Sequence, residues 1–244
     1  MKRKDIIEKQ KKSSIIKKIV IIFLLTIVAF FILSSDIFSV ETVFVENNTL
    51  FSQEEIIAMS GIVFGINTFK IKTKDISERI MDNPFIKNVK VSRILPDGIN
   101  IEIDERKEAA CVFFVDQSIV LDDEGYVLKT VESNPYLTII DGLEIEGFIV
   151  GERIKIKKQE VLEEVLNVIM EMDRHDLFFK KISIENDQLK VAIYDKLFCN
   201  ANSQVLMDNM KTLGDIIYDL HKKDIKRGII RVESDGYFSY SPTD

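Results

Sequence analysis

The stretch Ile19-Val-Ile-Ile-Phe-Leu-Leu-Thr-Ile-Val-Ala-Phe-Phe-Ile-Leu33 holds no charge, no Gly and no Pro, and it divides the chain in two. Carried on through Ser34 and Ser35, and back to Ile15 and Ile16 past the snorkelling Lys17 and Lys18, it approaches the roughly 20 residues that cross about 30 Å of hydrocarbon. This predicts a transmembrane helix over residues 19–35. A core helix of a soluble protein carries a polar stripe, and none interrupts Ile19 to Leu33. A secretory signal has a shorter apolar region and a small-residue exit, whereas this run leaves through Phe31-Ile-Leu-Ser-Ser-Asp36.

The flanks set the orientation. Lys2, Arg3, Lys4, Lys9, Lys11, Lys12, Lys17 and Lys18 precede the run against Asp5 and Glu8, while Asp36 and Glu41 follow it. Positive flanks stay on the cytoplasmic side, so residues 1–18 read as a cytoplasmic basic tail and the rest as exported. The tail can also meet anionic lipid head groups. The formal net charge of −7 splits into +6 before Asp36 and −13 from Asp36 onward. An acidic exported part is a poor polyanion binder, which argues against a nucleic-acid partner. At 244 residues, the chain has room for one anchor and one or two small domains.

Export permits a disulfide between Cys111 and Cys199, and the sequence leaves their pairing open. Each lies in an apolar, strand-like stretch, where two buried free thiols are the plainer expectation. Two cysteines with His175 and His221 give no metal-ligand spacing, so neither a metal nor another cofactor is expected. His175 follows Asp173-Arg174 at a helix end, where a cation suits the helix dipole.

The exported part reads as two α+β modules. In the first, Val40 to Val45 alternates as a strand ending at Asn47-Asn48. Ser52-Gln-Glu-Glu55 is a capping box with Phe51 and Ile56 as its staple, opening a helix that stops near Gly61. The stretch from Phe64-Gly65 to Ile71 is irregular and apolar. Thr73 and Asp75 open a second helix, ended by Asn83-Pro84. Asn88 to Ile94 and Ile99 to Asp104 then form a hairpin across Leu95-Pro-Asp-Gly98. The order strand, helix, helix, strand, strand lets two helices cover one face of a three-stranded sheet.

The second module is mainly strand: Val112 to Val115, Ile119 to Leu121, Tyr126 to Leu128 and Leu137 to Ile140. A helix from about Gln159 to Asp173 carries Val161, Leu162, Val165, Leu166, Ile169 and Met172 on one face. A hairpin across Asn186-Asp187 joins Ile182–Ile184 to Leu189–Ile193, and Phe198-Cys199 lies in a short strand. Ser203 is expected to cap a single helix through Leu206, Met210, Leu213, Ile217 and Leu220. Gly228 to Val232 and Gly236 to Tyr240 close the chain as two strands around Glu233-Ser-Asp235.

The sequence holds no G-x-S-x-G, H-E-x-x-H or Walker A pattern. The carboxylates, including Asp122-Asp-Glu124 and Glu163-Glu164, read as solvated turn and helix-face residues. No catalytic, cofactor-binding or metal residue is assigned, and the chain is not expected to be an enzyme. A partner-binding role then leads, because a sheet edge can capture an extended partner by strand addition. The segment from Arg231 to Pro242 fits such an edge, with Tyr237, Phe238 and Tyr240 as aromatic anchors.

Phe51-Ser-Gln-Glu-Glu-Ile-Ile, Asn67-Thr-Phe, Asn83-Pro-Phe-Ile-Lys-Asn-Val, Arg93-Ile-Leu-Pro-Asp and Glu102-Ile-Asp-Glu-Arg106 together resemble the POTRA domain of the FtsQ/DivIB cell-division proteins. Glu108 departs from the Pro that often follows the Glu-Arg pair in that family. The resemblance covers about residues 15 to 242 and implies a POTRA domain over 38–106 and a C-terminal β domain over 107–242. It also implies a bitopic protein of the cell membrane at the division septum. Such a protein binds FtsL-like and FtsB/DivIC-like single-pass partners and serves the septal peptidoglycan synthase complex as a scaffold. In an ungapped match, Arg231, Val232, Ser234 and Tyr240 fall on positions that contact the FtsB/DivIC partner in better-known relatives. Val232 and Tyr240 replace other aromatic residues there, and Asp235 replaces a Gly. Two other readings stay open: a membrane-anchored extracytoplasmic cell-wall enzyme, and a POTRA-bearing transport or assembly factor.

Overall fold

In a computed structural model of the protein, residues 2–132, 136–185, 188–232 and 236–242 are described, with 2–15 given by backbone course only. The chain forms two compact units, 1–81 with 88–105 and 82–87 with 106–244.

The first unit opens with helix α1, Lys2–Leu33. Residues 2–18 thus lie on the same helix as the apolar run. From Ile16 to Leu33 no side chain is buried by the rest of the protein, and this span is long and apolar enough to cross a membrane. Strand β1 (Thr42–Glu46), α2 (Gln53–Ser60), α3 (Thr73–Met81), β2 (Ile86–Ile94) and β3 (Gly98–Glu105) follow. The sheet order is β1-β3-β2, with β1 parallel to β3 and Val43 opposite Ile99. Ser52 Oγ accepts from Glu55 N at 3.3 Å, and the Glu55 carboxylate accepts from Ser52 N at 2.8 Å. That reciprocal cap is present as expected, and Gly61 at φ 63° ends the helix in the left-handed region. Ile56, Ile76 and Ile80 from the helices, with Ile99, Ile101 and Ile103 from β3, form the buried interior.

The second unit is a nine-stranded sheet with helices on one face. Its strands are β4 (Ala110–Phe114), β5 (Gln117–Leu121), β6 (Val127–Val131), β7 (Thr138–Asp141), β10 (Lys181–Glu185), β11 (Gln188–Tyr194), β12 (Lys196–Ala201), β13 (Arg227–Val232) and β14 (Phe238–Ser241). A two-stranded ribbon, β8 (Ile145–Gly147) and β9 (Lys155–Ile156), precedes α4 (Gln159–Arg174). The sheet order is β14-β13-β12-β11-β10-β7-β4-β5-β6. Two of its parallel pairs need crossovers, which helices supply: α4 between β7 and β10, and α5 (Ser203–Asp208) with α6 (Met210–Lys222) between β12 and β13. Leu162, Val165, Leu166, Ile169 and Met172 of α4 fall on one stripe and are buried in the main core, each contributing about 1.5–3 kcal/mol relative to exposure.

Local details depart from expectation at several points. The helix predicted through Leu220 is broken at Asn209 into α5 and α6. Its cap is Asn202, whose side chain accepts from Gln204 N at 3.0 Å, while Ser203 Oγ donates to Glu164 at 3.0 Å. The β8–β9 ribbon carries too few residues for a periodic signal. The predicted Asn186-Asp187 turn lies outside the described residues.

Candidate partner-binding edge

Strand β14 is the last strand of the large sheet and pairs antiparallel with β13 alone among the described residues. Val232 stands opposite Phe238, Ile230 opposite Tyr240, Arg231 opposite Ser239 and Ile229 opposite Ser241. Because side chains alternate faces, Phe238 and Tyr240 share the helix-covered face with Val232 and Ile230. Val232 is buried there and Phe238 packs against the same core. Arg231 and Ser239 lie on the opposite face, where Arg231 Nη1 donates to Ser241 Oγ at 3.4 Å.

Tyr240 fastens the edge to its neighbour. Its hydroxyl donates to the Arg227 carbonyl at 2.8 Å, and its ring lies over Gly228. A Cβ on Gly228, which has φ 130°, would sit 2.5 Å from that ring and 2.8 Å from the Ser241 carbonyl. Gly228 is thus a part of the edge that was not singled out from the sequence. A Gly inside a strand pattern signals this kind of close approach.

Among the residues expected at the site, Arg231, Val232, Phe238 and Tyr240 are brought together on one antiparallel pair. Tyr237 precedes β14 and is 68 % exposed. Ser234 lies outside the described residues. The outer side of β14 offers backbone groups in alternation, since successive residues of an antiparallel strand aim their N–H and C=O groups at opposite neighbours. A short extended segment can be added there, with Tyr237 beside it as apolar contact area.

A second cluster corrects the reading of Asp122-Asp-Glu124 as a solvated run. Asp122 is fully buried. One of its oxygens is paired with Arg106, and the other accepts from Glu124 N at 3.0 Å and Tyr126 N at 2.7 Å. The Arg106 guanidinium also lies 3.7 Å from the centre of the Tyr126 ring and bonds Glu124 at 2.9 Å. Hydrogen bonds from Lys87 and then Arg106 hold the Glu124 carboxyl below the usual carboxylate range. A cleft of about 430 Å³ beside it is lined by Asp123, Glu124, Arg153 and Glu163, and Arg153 bonds Glu163 at 2.7 Å. A general acid needs a raised pKa, and the ion pairs of Glu124 act in the other direction.

The neighbouring Glu105 serves the first unit. Burial pushes its carboxyl upward, but hydrogen bonds from the Thr49 hydroxyl and the Leu50, Thr49 and Phe51 amides outweigh that and lower its pKa. It holds the loop before α2. The adjacent pair Glu105-Arg106 therefore anchors one loop in each unit. Cys111 and Cys199 are both buried and free, with burial pushing their thiols up to about 11 and about 12. They lie on strands that are not neighbours in the sheet, β4 and β12, with β7, β10 and β11 between them. At the usual strand spacing of nearly 5 Å that separation, about 19 Å, is too far for a disulfide.

Comparison with known proteins bears on both units. The family described as POTRA domain, FtsQ-type, matches residues 38–106. The cell division protein FtsQ of Syntrophotalea carbinolica is 32 % identical over 149 residues, covering 60 % of this chain and 51 % of that protein. The chain thus spans about half the length of that relative. The cell division protein DivIB of Clostridium botulinum is 28 % identical over 207 residues, 82 % of this chain and 80 % of that protein. The DivIB of Bacillus subtilis is 27 % identical over 210 residues, 84 % and 76 % of the two chains.

Proposed function

We propose, from the premise that this chain belongs to the FtsQ/DivIB family of cell-division proteins, that it is a bitopic scaffold at the division septum. The tail 1–18 is cytoplasmic, residues 19–35 cross the membrane, and the POTRA domain 38–106 and C-terminal domain 107–242 stand outside. The scaffold binds FtsL-like and FtsB/DivIC-like single-pass proteins and so helps to assemble, stabilise and regulate the septal cell-wall synthesis machinery. It carries out no reaction itself. The observation that supports this most directly is the free outer side of β14, a strand held to the sheet through β13 only among the described residues. Addition of a partner strand there uses main-chain hydrogen bonds for affinity and flanking side chains for selectivity.

The test uses two variants of the full chain, Phe238→Pro and Ser239→Pro. One of two successive residues in an antiparallel edge strand directs its N–H inward and the other outward. Proline removes that donor. The variant that loses the inward donor should unpair β14 from β13. The other should keep the β13 amides protected from hydrogen exchange and lose at least about tenfold in partner capture. Capture of the DivIC-like protein from membranes is the readout. Undiminished capture by the variant with intact β13 protection would remove the edge from the binding site. The carboxylate-lined cleft is the observation that favours a cell-wall enzyme. Turnover of peptidoglycan by the purified protein, lost on Glu163→Gln, would support that reading instead.

A further inference from the structure

The loop between α2 and α3 was legible as irregular and apolar, and the scaffold role gives it no task. In the structure it is stitched to the exit of α1. Asn67 Nδ2 donates to the Leu33 carbonyl at 2.8 Å, one of the groups left open at a helix C-terminus. Val40 N donates to the Ile66 carbonyl and Gly65 N to the Val40 carbonyl, both at 2.9 Å. Thr68 Oγ1 donates to the Phe38 carbonyl at 2.7 Å, and the Phe38 and Phe69 rings lie 5.2 Å apart. The loop is therefore fixed at the level where the apolar helix ends.

At that level it presents large apolar side chains to the outside. Ile37 is 68 %, Val63 60 % and Phe64 52 % exposed, and Ile66 and Phe69 are exposed beside them. Next to them runs a groove of about 260 Å³ whose walls include Ile62, Val63, Ile66 and Ile71. Large apolar side chains exposed together on one loop and the helix exit mark an interaction site. We propose that Ile37 and the loop residues Val63, Phe64, Ile66 and Phe69 insert into the interfacial layer of the same bilayer leaflet from which α1 emerges. The occupant is lipid, because the patch is continuous with a helix whose apolar side chains all face outward and whose last carbonyl the loop itself bonds. Charge around the patch is mixed, with Lys70, Lys72 and Arg79, whose guanidinium bonds the Ser60 carbonyl, against Asp36 and Asp75. Apolar burial is then the driver, and head-group charge is secondary. The contact gives the first unit a second hold on the membrane and limits its rotation about the helix axis.

The proposal rests on α1 being a membrane helix, and one experiment separates the two. The chain contains no Trp, so Phe64→Trp and, in a second protein, Phe23→Trp each introduce a single fluorophore into the full chain. Both proteins are reconstituted without partners into phosphatidylcholine vesicles carrying acyl chains brominated near the carbonyl end or near the methyl end. Emission from the loop indole of the Phe64→Trp protein should fall about twofold with the shallow bromines and be shielded from aqueous iodide. Emission from the helix indole of the Phe23→Trp protein should be quenched by the deep bromines. A quenched helix indole together with an iodide-accessible, bromine-insensitive loop indole would overturn the loop contact while leaving the anchor in place, and would assign the patch to a protein partner. An unquenched helix indole would overturn the anchor itself, and the loop contact with it.

Discussion

The nine-stranded sheet ends in β6 on one side and β14 on the other, and the two edges are treated differently. Along β6, Val127 N donates to the Glu152 carbonyl at 2.9 Å, and Gly151 N donates to the Val127 carbonyl at 2.8 Å. Ile154 N reaches the Gly125 carbonyl at 2.9 Å, so the segment before β9 covers the start of that edge. Lys129 puts a charge in the middle of the strand, paired with Glu108. Covering and charging are the usual protections of an edge strand. Along β14, no described residue outside β13 contributes a backbone bond. A domain that shields one edge and leaves the other bare carries a usable edge, which is the physical content of the proposed partner site.

The covered end should be broken most severely through Arg106. Its pairing with Asp122 fixes the turn that delivers the chain into β6, and the carboxylate is fully buried. Arg106→Met leaves that charge without its cation, which costs about 3–5 kcal/mol and lowers Tm by on the order of 10 °C. Thermal unfolding followed by circular dichroism measures it. Partner capture below the new Tm should survive, because β14 lies at the other end of the sheet. An unchanged Tm would mean that the turn does not depend on the pair.

At the bare end the critical residue is Gly228. Gly228→Ala forces a Cβ into the Tyr240 ring and the Ser241 carbonyl at a φ that disfavours side chains. The expected cost is about 1–3 kcal/mol of local stability, seen as roughly 5- to 150-fold faster hydrogen exchange in β14, with Tm nearly unchanged. Partner capture should fall together with protection. If protection falls and capture does not, the partner does not read the β14 edge.

The sequence disclosed what local periodicity encodes. The apolar run of α1, the capping box at Ser52 and the apolar stripe of α4 are each written in local spacing. Asp122 was hidden because Asp-Asp-Glu-Gly has the composition of an exposed turn, and its burial depends on a cation sixteen positions earlier folding onto it. The break at Asn209 was hidden because the apolar spacing runs across it, while Asn209 turns its side chain back to the Val205 carbonyl at 2.9 Å. Strand order is likewise non-local. The aromatics of the last segment were legible, but that β14 ends the sheet, or that β6 is covered, follows only from which strands pair.

The smallest effect separates the two edges by pH. Glu124 belongs to the covered end, where its backbone carbonyl accepts from Arg153 and its carboxylate from Lys87 and Arg106. Its pKa is lowered by the Lys87 and then the Arg106 hydrogen bonds, against a smaller opposing effect of burial. A carboxyl with a lowered folded pKa binds its proton more tightly in the unfolded chain. The stability it contributes is therefore complete above the unfolded value of about 4.3 and is lost as pH falls through the folded value. Its side chain is 44 % exposed, so solvent screening keeps the contribution below about 1 kcal/mol. Glu124→Gln should lower Tm slightly at pH 7, and the gap to the parent chain should close as pH falls below about 4. Strand β14, Phe-Ser-Tyr-Ser, has no carboxylate of its own. Its hydrogen-exchange protection, corrected for intrinsic rate, should therefore stay level over the same range. Equal pH dependence at both edges would show that they open together, and the contrast between a locked end and an available one would fail.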